Sequence, residues 1–275
     1  MKVRIFTAMG IAAVGLPLLI FSRLIIFPIA LSVLAFISIF EVLRTLGVNK
    51  NYWVSVPAYL IALALPFPTY FMRGKETLYI LIMACVFFGY LFYLFFLAVF
   101  MRGRLKYAQL SSVFASLVYV ISSFTSFGIL RYLPNGMWNV CLIFIGAWGC
   151  DVAAYFVGSL FGRHKLIPEI SPKKTVEGAI GGVIFSIAGF ALYGYILSLF
   201  VEVSPNYLVL CVAGFVLSVV AQLGDLTASF IKREHGVKDY GNILPGHGGI
   251  LDRFDSALAV SVVLMIICLL FPPFN

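Results

Sequence analysis

Residues 206–233 read NYLVLCVAGFVLSVVAQLGDLTASFIKR. From Tyr207 to Phe230 this is one apolar run interrupted by a single formal charge, Asp225, and it closes on Lys232 and Arg233. At ~1.5 Å of rise per residue, a helix of that length crosses the ~30 Å hydrocarbon core of a bilayer. Inside hydrocarbon the backbone must satisfy its own hydrogen bonds, which leaves helices or closed barrels. The run is too long and too evenly apolar for a barrel strand, so it is read as a membrane-spanning helix. Its polar residues Ser218, Gln222, Asp225, Ser229 and Lys232 recur at spacings of 4, 3, 4 and 3, which puts them on one stripe. Such a stripe lines either a wet cavity or an interhelical hydrogen-bond seam, and the cationic end favours the cavity.

The rest of the chain repeats the pattern. Of 275 residues, 62% are hydrophobic and only 11% charged, with a mean hydropathy of +1.06, whereas soluble domains are about a quarter charged. The fold class is therefore all-α, a polytopic integral membrane helical bundle. Apolar runs lie at residues 4–21, 24–43, 52–68, 77–100, 107–128, 136–160, 176–200, 206–231 and 256–271, which predicts about nine transmembrane helices. The first follows Met-Lys-Val-Arg, but no clear small-residue cleavage site precedes the second, so it is kept as a span. The third holds Pro57, Pro66 and Pro68 and is predicted to be broken or re-entrant.

Alternating the loops between the two sides places fifteen of the nineteen Lys and Arg residues on one side and four on the other. By the positive-inside rule this puts the N-terminus in the cytoplasm and the C-terminus outside. Basic residues confined to short loops between spans match orientation and anionic lipid, so nucleic acid is not expected as a partner despite the net charge of +8. The five cysteines, Cys85, Cys141, Cys150, Cys211 and Cys268, contain no CxxC pair and read as small core residues.

Chemistry is concentrated in the second half. Residues 1–150 contain no Asp, no His and only Glu41 and Glu76, whereas all five Asp and all three His fall between 151 and 255. The organisation expected is one membrane domain, 1–275, in which 1–140 serve packing, lipid access or oligomerisation and 141–275 form the catalytic half. Asp151 and Asp225 both lie on the order of 10 Å below the cytoplasmic surface by helical rise. A carboxylate there costs ~2.5 kcal/mol or more and must face the bundle interior or a wet cavity. In the loop FGRHKLIPEISPKKTVEG, Ser171 is expected to cap a helix beginning at Pro172, with Lys173 and Lys174 in its first turn. Cations there oppose the helix dipole unless an anion binds. Gly178 and Gly182 are spaced for close helix packing. Pro245-Gly246-His247-Gly248-Gly249 cannot be helical and exposes amides suited to phosphate oxygens. Carboxylates without a Cys or His cluster favour Mg²⁺ over Zn²⁺, with room for a second cation. His247 is open between a structural and a catalytic role.

Ser229, Lys232-Arg233, Lys238-Asp239, Pro245 with His247-Gly248-Gly249, and Asp252-Arg253 with Asp255 together form a long motif that resembles the signature of the phosphatidate cytidylyltransferase (CDP-diacylglycerol synthase) family. Trp148, Asp151, Ala154-Tyr155-Phe156 and Ser171 to Thr175 extend the resemblance over about residues 145–256, with Val176 standing where family members carry an aromatic. The first 140 residues match in character only. The resemblance implies transfer of the cytidylyl group of CTP to phosphatidate, giving CDP-diacylglycerol and pyrophosphate at the bacterial plasma membrane, with the active site facing the cytoplasm. It implies Asp225 and Asp252 as Mg²⁺ ligands, with Asp255 next in line and the metal where Asp225 and Asp252 meet. Lys232, Arg233, Lys238 and Arg253 would hold phosphate, while Lys173, Lys174, Ser229, His247, Gly248 and Gly249 would bind substrate. Asp151 and Asp239 are open between metal-binding and structural roles, and a homodimer is left open. The rival readings are a CTP-dependent polyprenol kinase and an ion-coupled transporter; a CDP-alcohol phosphotransferase is disfavoured because its Asp-Gly-x-x-Ala-Arg motif is absent.

Overall fold

The computed structural model describes residues 17–101 and 106–275, together with 10, 13 and 15. Among these, eight helical segments are long and apolar enough to cross a membrane: Ile26–Thr45, Tyr52–Tyr70, Glu76–Phe100, Tyr107–Tyr132, Gly136–Phe161, Val176–Phe200, Tyr207–Glu234 and Leu251–Leu270. They match the second to ninth predicted spans. The first predicted span, 4–21, lies largely outside the described residues.

The chain forms two compact units, Met1–Leu133 with Asp239–Arg253, and Pro134–Lys238 with Phe254–Asn275. In the first, α1 (Ile26–Thr45) packs against α2 (Tyr52–Ala64) and α4 (Tyr107–Tyr132), while α3 (Glu76–Phe100) lies against α2 and α4. Small and branched residues make the contacts: Ala35, Val54, Ala58 and Val113 are fully buried. Phe88, Phe92 and Phe96 of α3 are exposed, as expected of a surface that meets acyl chains.

The third span is broken as its prolines predict. Pro57 sits inside α2, and beyond Ala64 the chain continues as a 3₁₀ turn over Phe67–Tyr70. Pro57 has no N–H for the carbonyl of Trp53 four residues earlier; the Tyr93 hydroxyl donates to that oxygen at 2.8 Å instead. Tyr90 donates likewise to Val54 O at 3.0 Å. Two tyrosines thus satisfy backbone that hydrocarbon would not.

The second unit begins with α5 (Gly136–Phe144), a π turn over Ile145–Gly149 and α6 (Cys150–Phe161), which together make the sixth span. A hairpin of β1 (Lys165–Ile167) and β2 (Ser171–Thr175), paired antiparallel, leads to α7 (Val176–Phe200) and α8 (Tyr207–Glu234). The final helix, α9 (Leu251–Leu270), starts in the first unit and continues in the second after Arg253. Helix α7 packs against α6 and α8, and glycines set the approach. A Cβ on Gly178 would stand 2.6 Å from Ala154 O, and one on Gly182 would stand 2.9 Å from Cys150 Sγ. The GxxxG pair therefore permits close packing, as its spacing suggests. Gly224 of α8 repeats the device against α9, where a Cβ would lie 2.7 Å from Ala259 Cβ. All five cysteines are free.

The start of α7 departs from expectation. Ser171 and Pro172 lie in β2, not at a helix N-terminus, and the helix begins at Val176. The cap is Thr175, whose Oγ1 accepts the Gly178 amide at 3.1 Å. Both Ser171 and Thr175 have a capping side chain, but only Thr175 is followed by an acidic residue in the first turn, Glu177, which suits the helix dipole. Glu177 also accepts the backbone amides of Arg163 and His164 at 3.1 and 3.2 Å, closing the hairpin onto the helix. Lys173 and Lys174 consequently sit on a strand.

Candidate active site

In the second unit the site grows from α8. Its membrane-central part is a packing seam: Ser218 donates to Phe215 O on its own helix at 2.7 Å, and Gln222 donates to Ala179 O of α7 at 3.2 Å. One turn further on the character changes. Asp225 pairs with Lys174 of β2 at 2.6 Å, each side chain about a quarter exposed. The hairpin that removed Lys174 from a helix start thus delivers it to the carboxylate on α8.

Two more carboxylates share this region. Asp151, in the first turn of α6 after the π turn, accepts the Ser256 hydroxyl at 3.0 Å. Asp255 of α9 accepts the Ser256 amide at 2.8 Å. The charges of Asp225, Asp151 and Asp255 act on one another, Lys174 acts on Asp151, and Lys232 acts on Asp255. Three carboxylates and two lysines thus influence one another within one unit, and carboxylates on membrane spans need such compensation by positive charge.

At the end of α8, Lys232 is buried, with 7% of its surface exposed, while Arg233 and Lys238 are exposed. The helix stops through Gly236, at φ +67°, with the Val237 amide donating back to Lys232 O at 2.9 Å. Ser229 is half-buried, and Lys173 is exposed.

In the first unit the segment Asp239–Arg253 folds around two carboxylates. Asp252, 6% exposed, accepts the amides of Tyr240 at 2.8 Å and Gly249 at 2.9 Å through Oδ2. The Gly249 amide, predicted to face phosphate, is therefore held by Asp252. Gly246 and Gly248 take positive φ of +76° and +85°, which only glycine adopts readily, and Leu244 bridges to Gly248 across the turn. A Cβ on Gly248 would lie 2.9 Å from Asp252 Oδ2 and 3.4 Å from Asp239 Oδ1. The His247 amide donates to Leu244 O at 2.9 Å, and its ring Nδ1 is buried without a hydrogen-bond partner. Arg253 is exposed.

Two participants escaped the sequence reading. Glu41 of α1 is fully buried and accepts the amides of Ile250 at 3.1 Å and Leu251 at 2.9 Å. One turn along, Arg44 donates to Tyr240 O at 2.7 Å. Glu41 was visible as an ionisable residue within an apolar run, which is itself a functional signal, but its partners lie about 210 positions away.

The fold and these side chains define a polytopic helical membrane protein whose later spans carry carboxylates, one of which, Asp225, pairs with a lysine of the hairpin. The chain belongs to the cytidylyltransferase family, whose pattern it matches over residues 2–271. It is 36% identical over 270 residues to a phosphatidate cytidylyltransferase of Staphylococcus epidermidis, covering 97% of this chain and 98% of that one. The Staphylococcus haemolyticus and Staphylococcus aureus proteins of the same name are each 35% identical with the same coverage.

Proposed function

We propose that this chain transfers the cytidylyl group of CTP to phosphatidate, giving CDP-diacylglycerol and pyrophosphate, in a bacterial plasma membrane with its active site open to the cytoplasm. The whole-length likeness to phosphatidate cytidylyltransferases supports the reading. The observation that carries it within this chain is the Asp225–Lys174 pair, in which a carboxylate of a membrane span that interacts with Asp255 and Asp151 is compensated by a lysine of the hairpin.

The two substrates come from different solvents. Acyl chains approach through hydrocarbon and the nucleotide through water, so the reacting phosphates must meet at a polar face within the spans. The phosphate of phosphatidate, with a second pKa near ~6, is already largely ionised at neutral pH and needs no general base to attack the α-phosphorus. The demand on the protein is to hold two polyanions together and to stabilise departing pyrophosphate. Lys232 supplies fixed positive charge at the end of a span and Lys174 supplies it from the hairpin, and Lys173, Arg233, Lys238 and Arg253 supply it at exposed positions. The motif also implies substrate contacts for Ser229, His247 and Gly248, whereas the Gly249 amide is held by Asp252.

The donors are oxygen only, and no group of three or more His, Cys, Asp or Glu among the described residues is arranged to hold a metal ion. The oxygen donors by themselves suit Mg²⁺, which can be bound through one or two carboxylates plus substrate phosphate and water. The motif implies Asp225 and Asp252 as its ligands, with Asp255 next in line; Asp252 Oδ2 already accepts two backbone amides. Bound there, it would neutralise charge on the triphosphate. The ion pair with Lys174 keeps the Asp225 carboxylate compensated, and Lys174 would be available to substrate phosphate if a cation took its place on Asp225.

Purified protein in lipid, given CTP, Mg²⁺ and phosphatidate, is expected to release pyrophosphate and form CDP-lipid. Release of CDP in its place would mark a polyprenol-kinase type of reaction, and ion flux without nucleotide turnover would mark a transporter.

A further inference from the structure

We propose that Glu41 is a positioning residue for the reaction: from α1 it caps the start of α9 and thereby fixes Asp252 and the glycine turn that precedes it. The catalytic part of this inference rests on the function proposed above.

The first amides of helix α9 find their acceptor on another helix. Ile250 stands immediately before Leu251 and has no side-chain acceptor for the first amides. Glu41 supplies the acceptor from another helix, one carboxylate oxygen to Ile250 N and the other to Leu251 N. A buried carboxylate would otherwise carry a heavy desolvation penalty; here it meets amides at the positive end of a helix dipole. The glycines around it answer to the same carboxylate. A Cβ on Gly249 or Gly241 would run into the Glu41 side chain, so both positions leave room for it.

The constraint reaches Asp252 by short steps. Gly249 and Tyr240 donate to Asp252 Oδ2, Tyr240 O accepts Arg44, and Arg44 is one helical turn from Glu41. Asp252 itself lies one residue beyond the Leu251 amide that Glu41 holds. Glu41 and Arg44 thus clamp both ends of the Asp239–Arg253 segment onto α1. Of the paired glycines, Gly248 is required by its backbone angle and Gly249 by Glu41.

The test uses the full chain in lipid nanodiscs, with Glu41→Gln and Gly241→Ala as variants and Glu202→Gln, in an exposed loop, as control. Hydrogen–deuterium exchange over residues 248–253 is expected to quicken on the order of 10-fold in both variants as the amide acceptor is lost or displaced, with α2 to α4 unchanged. The kcat for pyrophosphate release is expected to fall on the order of 10- to 100-fold, with KM for CTP within about 3-fold of the parent, as for loss of an outer positioning contact. The control should match the parent. Unchanged exchange at 248–253, or equal loosening throughout α2 to α4, overturns the proposal. Failure of both variants to fold also overturns it, since Glu41 would then belong to the core and not to the turn. A parent protein that releases no pyrophosphate defeats the proposed function instead, while the exchange result still decides the role of Glu41.

Discussion

At the scale of single residues, Asp225 and Lys174 show how a charge survives in a membrane helix. Each is half-buried, and each compensates the other at 2.6 Å. Removing one member leaves its partner uncompensated in a low-dielectric setting. Asp225→Asn is therefore expected to lower kcat for pyrophosphate release by on the order of 10²-fold or more, as for loss of a preorganised electrostatic group. Lys174→Met should act in the same direction, and the double variant should lose much less than the product of the two single losses, because the pair acts as a unit. A steady-state assay of all three variants checks this; strictly multiplicative losses would count against the pair. The candidate residues themselves were legible because charge is rare in this chain and clusters between 151 and 255. Glu41 was harder to place, since nothing local to α1 signals a partner in the 239–253 segment.

At the scale of elements, close approach governs. Gly178 and Gly182 bring α7 against α6, and the same helix start delivers the hairpin that carries Lys174. Gly178→Val is expected to lower the thermal unfolding midpoint in lipid, with a destabilisation of about 1–3 kcal/mol from overpacking. An unshifted Tm would contradict the packing described. The spans were readable from hydropathy because lipid-facing surface and core are both apolar, and the break in the third span was readable from Pro57, Pro66 and Pro68. The hairpin was not. Ser171-Pro172 and Thr175-Val176-Glu177 both look like helix starts, and β2 owes its strand conformation to pairing with β1. Nor does hydropathy reveal the π turn at Ile145–Gly149, since an extra residue in a turn leaves an all-apolar run unchanged.

At the scale of the whole molecule, two units of membrane helices carry one family's signature across residues 2–271. The proposed orientation follows from the distribution of Lys and Arg, so it is testable apart from catalysis. A single cysteine introduced at exposed Asn242, in a background lacking the natural five, should react with a membrane-impermeant maleimide only in inside-out vesicles. One placed at exposed Asn275 should react only in right-side-out vesicles. The reverse pattern would overturn the assignment of sides. The central claim concerns which phosphate bond the protein breaks, and isotopic label answers it most directly. With CTP labelled at the α-phosphate or, separately, at the γ-phosphate, and with phosphatidate and Mg²⁺ present, α-label is predicted to enter the lipid phase and γ-label to leave as pyrophosphate. Transfer of γ-label to lipid, with α-label remaining in soluble CDP, would contradict the account.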